Sequence, residues 1–181
     1  MEKGKEIFTG EASEGDCGIS NDGKNYDISF DRSEVRILLC DSNVDSSEEL
    51  STLLRRCSYQ VTAVSSSRDA IHALHTEGSV DIILAEVLDL PMEESMKLLN
   101  HIMPRNELRH IPVIMFSTHD EVSVVLKFLE LGAKDYILKP LRVNEVALLW
   151  THTWRRRHKE WQRKLKKEEQ IEEEQLANPP G

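Results

Sequence analysis

Five times between residues 35 and 154, a short apolar run is followed, after a polar break, by a segment whose apolar residues recur at helical spacing. VRILLC precedes SSEELSTLLRRC, and YQVTAVS precedes SRDAIHALHTEG. VDIILAEV then leads to EESMKLLNHI, PVIMFS to DEVSVVLKFLELG, and DYILK to VNEVALLWTHTW. Strand and helix signals that alternate in this way imply βαβ units, and right-handed crossovers then place helices on both faces of one parallel sheet. The chain is expected to form an α/β domain with a five-stranded, doubly wound parallel sheet and an extended C-terminal helix.

Composition narrows the class. Hydrophobic residues make up 39% and charged residues 30%, as in an ordinary soluble globular protein. The net charge of -9 argues against general nucleic-acid affinity, while leaving room for a local basic patch. Cys17, Cys40 and Cys57 are odd in number and lack a CxxC pairing, so neither a disulfide framework nor a zinc site is read, and a reducing compartment is expected. MEKGKEIFTGE has no apolar signal core, and no run approaches the ~18 apolar residues of a membrane span. Residues 1–33, rich in Gly, Ser, Asp, Glu and Asn, read as a disordered arm. The folded domain is expected over 34–150, a charged helical extension of the fifth helix over 151–176, and a short tail over 177–181.

In sheets of this kind, ligands gather at the carboxyl ends of the strands. Those ends carry Asp41-Ser42 after the first strand, Glu86 at the end of the third, Ser117-Thr118 after the fourth and Lys139-Pro140 after the fifth. Acids, hydroxyls and a lysine are thus expected on one rim. A carboxylate closing the apolar run DIILAE needs a reason, since an unpaired buried charge is costly.

This order and spacing resembles the receiver domain of two-component response regulators, a flavodoxin-like (βα)5 fold, over roughly residues 34–150. The resemblance implies an aspartate acceptor at the end of the third strand, an acidic pair holding magnesium after the first, a hydroxyl contacting phosphate after the fourth and a lysine after the fifth. Asp41, Ser117 and Lys139 match, and Tyr136 matches the aromatic switch position. Ser42 replaces the second acid, and Glu86 replaces the acceptor. Glutamate adds one C–C bond, about 1.5 Å, and a displacement of that size costs about two powers of ten in a reaction governed by alignment. Magnesium demands near-octahedral oxygen ligation, which loss of an acid weakens. The pocket is therefore expected to be degenerate, with no catalysis, no metal and no cofactor, and with Glu86 reaching toward Lys139 as a weak, permanent activated state. Pro91 lies five positions after Glu86 rather than the usual four, and Ser95 stands where the family has glycine, so a different turn is expected there. Asp89 falls too far along the loop to replace the acceptor without a register slip.

RILLCDSN, CSYQVTAV, DIILAEV, IPVIMFSTHDEV, GAKDYILKPLRVNEV and LWTHTWRRRH together resemble the plant clock-associated pseudo-response regulators, in the timing-of-CAB-expression branch, where glutamate also occupies the acceptor position. That resemblance implies a nuclear protein repressing transcription in the circadian oscillator. It also implies that this domain associates with other pseudo-response regulators, as homo- or hetero-complexes, and with clock-related proteins. Members carry a basic CCT domain that contributes to DNA association; this chain stops at NPPG without one, so direct DNA binding is not expected.

Trp150, Trp154, Trp161 and Leu165 fall along one helical stripe, with Val146, Leu149 and Trp150 read as core and Trp154 and Trp161 as a contact surface. Together with Tyr136, helix four and strand five, they form the expected partner face. The basic block Arg155, Arg156, Arg157, Lys159, Arg163, Lys164, Lys166 and Lys167 precedes an acidic block, EEQIEEEQ. It reads as an import signal, as one half of an antiparallel helix pair, or as a solvated tail. Plainer readings stand beside these: Glu86 as a solvated rim carboxylate, Tyr136 as a packed strand residue, and His72 and His75 of HALH as helix surface. The readings in competition with an interaction module are a working phosphoacceptor of a His-Asp relay and an electrostatic DNA-binding protein using residues 155–167.

Overall fold

In the computed structural model, which describes residues 32–88 and 91–180 apart from the side chains of Arg155 and Trp161, the five apolar runs are strands. They are β1 (Arg36–Cys40), β2 (Gln60–Val64), β3 (Ile82–Glu86), β4 (Val113–Ser117) and β5 (Asp135–Leu138). Between and after them lie α1 (Val44–Arg56), α2 (Ser67–Thr76), α3 (Met92–Ile102), α4 (Val122–Glu130), α5 (Val143–Ala147) and α6 (Thr151–Ala177). The sheet order is β2-β1-β3-β4-β5 with every pair parallel. Strand order therefore reverses between β1 and β3, and the crevice of such a sheet opens at the carboxyl ends of those two strands.

Period-two alternation divides each inner strand between two cores. Ile37, Leu39, Ile82, Leu84, Ile114 and Phe116 pack with Leu50, Leu54, Val146 and Leu149 on the α1/α5 face. Leu38, Ile83, Val113 and Met115 pack with Ala70, Leu74, Leu98, Ile102 and Phe128 on the α2–α4 face. Polar residues at the strand ends start the helices. The Asn43 side chain accepts the Ser46 amide at 2.9 Å, and Ser66 accepts that of Asp69 at 3.1 Å, each capping the following helix.

One difference from the sequence reading lies in the fifth helix, which is not continuous into the charged segment. Leu148–Trp150 form a tight turn in which Leu149, Thr151, His152 and Thr153 donate to carbonyls three residues back. The cause is Tyr59, only 3% exposed. Its hydroxyl donates to the Ala147 carbonyl at 3.0 Å and accepts the Trp150 amide at 3.2 Å, inserting into the helical ladder. Tyr59 is delivered there by the end of α1: Ser58 adopts φ 72°, its amide donates to Arg55 and that of Tyr59 to Leu54, a Schellman closure.

Beyond the turn, α6 runs 27 residues, about 40 Å. Its first turns dock at the amino end of the sheet, where Thr153 is buried and Arg157 Nη2 meets Asp81 Oδ1 at 2.7 Å. Asp81 also accepts the Arg36 amide at 2.9 Å, so this carboxylate links β1, the start of β3 and α6. Of the described side chains beyond His158, all but Leu165 are exposed. The arm read in residues 1–33 lies outside the described residues except for a 3-10 turn at Arg32–Glu34, and so do Asp89 and the added loop residue before Pro91.

Candidate functional site

Four residues chosen from the sequence converge at the carboxyl end of the sheet. Asp41, 2% exposed, directly follows β1. Its Oδ1 accepts the Asn43 amide at 3.0 Å and its Oδ2 accepts the Ser46 hydroxyl at 2.6 Å. Glu86 reaches across from the end of β3: Oε2 accepts both the amide and the hydroxyl of Ser42, at 3.3 and 3.2 Å, while Oε1 takes Lys139 Nζ at 3.0 Å. Lys139 stands over the Phe116 ring, 5.1 Å from its centroid, and its side chain is 21% exposed against 16% for Glu86. The half-buried carboxylate that closes β3 is thus paired and hydrogen-bonded on both oxygens, which is how a largely desolvated charge is tolerated.

Burial pushes the Asp41 carboxyl above its ordinary value; its hydrogen bond with Glu86 and that group's charge add to this, against the Ser46 hydroxyl and the Asn43 amide. Burial acts on Glu86 in the same sense, yet the hydrogen bonds from Asp41 and Lys139, the lysine's charge and the Ser42 amide outweigh it and hold Glu86 below its ordinary value. The two carboxyls are therefore split, with Glu86 ionised against Lys139 and Asp41 the first to take a proton. Cys40, at the end of β1, is pushed up to about 12, by burial first and then by the charges of Asp41 and Glu86, which disfavours the reactive thiolate.

The remaining residues do not join this cluster. Ser117, buried at the end of β4, turns its oxygen to the His119 amide at 3.0 Å. Tyr136 donates to the His119 carbonyl at 3.1 Å and packs against Phe128, with centroids 6.4 Å apart, so its ring is held against the core. Trp154, 37% exposed, stacks on His158 at 5.0 Å. Nor do the basic residues form one surface: Arg156 pairs with Glu160 at 3.2 Å and Arg157 turns in to Asp81, while Lys159, Arg163, Lys164, Lys166 and Lys167 face solvent. The side chains of Arg155 and Trp161 lie outside the described residues. Sequence reasoning missed Ser46, whose hydroxyl lies 3.5 Å from Lys139 Nζ as well as against Asp41. The only signal for it was a hydroxyl in the first turn of the helix after Asp41.

The response regulator receiver domain family matches residues 37–149 of the chain. The chain belongs to that family. Its receiver is similar to the two-component response regulator-like protein APRR1 of Arabidopsis thaliana, 57% identical over 140 residues that span 77% of this chain and 22% of the relative. It is also similar to PRR1 of Oryza sativa subsp. japonica, 59% identical over 128 residues spanning 70% and 24% of the two chains. The chain thus spans less than a quarter of the length of these curated relatives. Among solved structures, a response regulator receiver domain protein from Clostridium thermocellum superposes with a TM-score of 0.60 at 20% identity, over 68% of this chain and 97% of that one. A CheY-like receiver from Methanospirillum hungatei JF-1 gives 0.59 at 20% identity, over 70% and 98%. The fold and the likeness to plant response regulator-like proteins expected from sequence are both met.

The donors of this receiver do not fit the magnesium ion that the family resemblance implies. Both Asp41 oxygens and both Glu86 oxygens are already engaged, and Ser42 contributes a neutral hydroxyl where a second carboxylate would be needed. Among the described residues no group of three or more His, Cys, Asp or Glu is placed to hold a metal ion. Nor is any helix among them long and apolar enough to cross a membrane.

Proposed function

We propose that this receiver is a phosphorylation-independent interaction module that works in transcriptional regulation of the plant circadian clock, in the nucleus, through association with other pseudo-response regulators and clock-related proteins. The observation that carries the reading is the 3.0 Å contact between Lys139 Nζ and Glu86 Oε1. Glu86 places a fixed carboxylate against the lysine that a phosphorylated receiver would turn toward its phosphoryl group. The longer side chain both blocks the acceptor position and supplies the negative charge there, with no transfer step. Kinship with the response regulator-like relatives supports the assignment to this branch, and the solvent-facing basic residues of α6 suit an import signal.

The test is incubation of the chain with magnesium and acetyl phosphate, and separately with beryllofluoride, followed by intact mass and amide NMR. The expected result is an unchanged mass and unchanged resonances at Glu86, Ser117 and Lys139. A stable adduct, or a magnesium-dependent change reaching Tyr136, would instead establish working phosphoacceptor chemistry.

A further inference from the structure

Away from the carboxylate cluster, α2 and α3 bring two histidines together at their last turns. His75 Nε2 and His101 Nε2 lie 3.1 Å apart, with ring planes at 85° and centroids 5.4 Å apart. From this geometry we infer a two-imidazole chelate for a divalent transition cation of the zinc and copper class, bridging α2 to α3.

The spacing suits one ion. With each nitrogen about 2.0–2.1 Å from the metal, a 3.1 Å separation subtends roughly 95–100° at the ion, between square-planar and tetrahedral. With both rings neutral, a hydrogen bond at this separation has one Nε2–H donated to the Nε2 of the other ring. Moving that proton to the Nδ1 of its own ring frees both Nε2 lone pairs, so binding needs no net loss of a proton. The donors are also held in advance. Ala70, Ala73 and Leu74 of α2 are buried in one cluster with Leu98, Leu99 and Ile102 of α3. At the opposite end of the helix pair, Ser67 Oγ donates to the Glu94 carbonyl at 3.0 Å. The Arg105 guanidinium near His101 is engaged, donating to the His101 carbonyl at 2.6 Å, and Glu107 acts on the ring in the opposite electrostatic sense. His75 is exposed and His101 half-buried, so an ion reaches them from solvent. Because no third His, Cys, Asp or Glu among the described residues completes the site, the other coordination positions fall to water or to a ligand from a second protein.

Titration of the full chain with zinc or copper ions by calorimetry, with electron paramagnetic resonance of the copper form, tests this. The expected result is one ion per chain bound through two imidazole nitrogens. Loss of either ring in His75→Ala or His101→Ala, which removes the intramolecular second bond, is expected to weaken binding on the order of 10²-fold. His72→Ala, on the next turn of α2, is expected to bind as the parent does. Circular dichroism of each variant shows that it is folded, and copper broadening of the His75 and His101 ring resonances in the unmutated chain reports the same site without any substitution. No saturable binding, or binding that survives both substitutions, would overturn the inference.

Discussion

Replacing Lys139 by methionine tests whether Glu86 depends on its lysine, and its size follows from the structure. At 3.0 Å and an effective dielectric of about 20, the pair's gross attraction is about 5–6 kcal/mol. Desolvation of two largely buried groups offsets more than half of this, leaving an expected cost of about 2 kcal/mol when the lysine is removed. For a domain of this size that is on the order of 5–10 °C in Tm. The pH dependence gives the sharper signature. Glu86 is held below its ordinary carboxyl value of 4.5, so its contribution is fully present above 4.5 and is lost as pH falls through its lowered folded value. In Lys139→Met the carboxyl loses both the lysine's hydrogen bond and its charge, and its protonation moves upward in pH. Urea unfolding of both proteins across pH 3–8 should therefore show a gap that is largest near neutrality and closes in acid. The raised Asp41 acts in the opposite sense, opposing folding as pH rises above 3.8, in both proteins. A gap independent of pH, or no gap at neutrality, would refute the pairing.

Tyr59→Phe removes the hydroxyl that serves both Ala147 and Trp150; a loss of about 1–3 kcal/mol is expected, with faster amide exchange at Trp150. Ser58→Gly, at a residue with φ 72°, should stabilise the chain by about 0.5–1 kcal/mol in thermal unfolding, because glycine adopts that conformation without strain. Cys40, with its thiol near 12, should have a thiolate fraction on the order of 10⁻⁴ at pH 8 and remain unlabelled by iodoacetamide in peptide mass spectrometry unless the protein is unfolded.

The strands were legible because buried parallel strands are written in consecutive residues. Ile82–Ala85 and Val113–Ser117 are buried throughout, and their apolar letters stand side by side. Asp41, Glu86 and Lys139 were legible because the crossover rule brings every strand's carboxyl end to one rim, so distant residues could be compared by position alone. The break between α5 and α6 was not. The segment from Val143 onward has continuous helical periodicity, and the hydroxyl that interrupts it comes from a residue 88 positions earlier. Ser46 was hidden for the opposite reason, since serines are ordinary near a helix start and nothing distinguished it from Ser47. The His75–His101 contact joins two helices across 26 residues, whereas helical spacing within HALH drew attention to His72 instead.

The strand that carries Glu86 also sits next to the residue that anchors α6. Asp81 immediately precedes β3 and holds Arg157, and Glu86 closes β3 and holds Lys139, so one central strand has an ion pair at each end about 16 Å apart. Its backbone is hydrogen-bonded on both sides, to β1 and to β4, so it has little freedom to slide without carrying its neighbours. The exposed length of α6 is thus tied, through Arg157 and Asp81, to the foot of the strand whose far end fixes the charge facing Lys139.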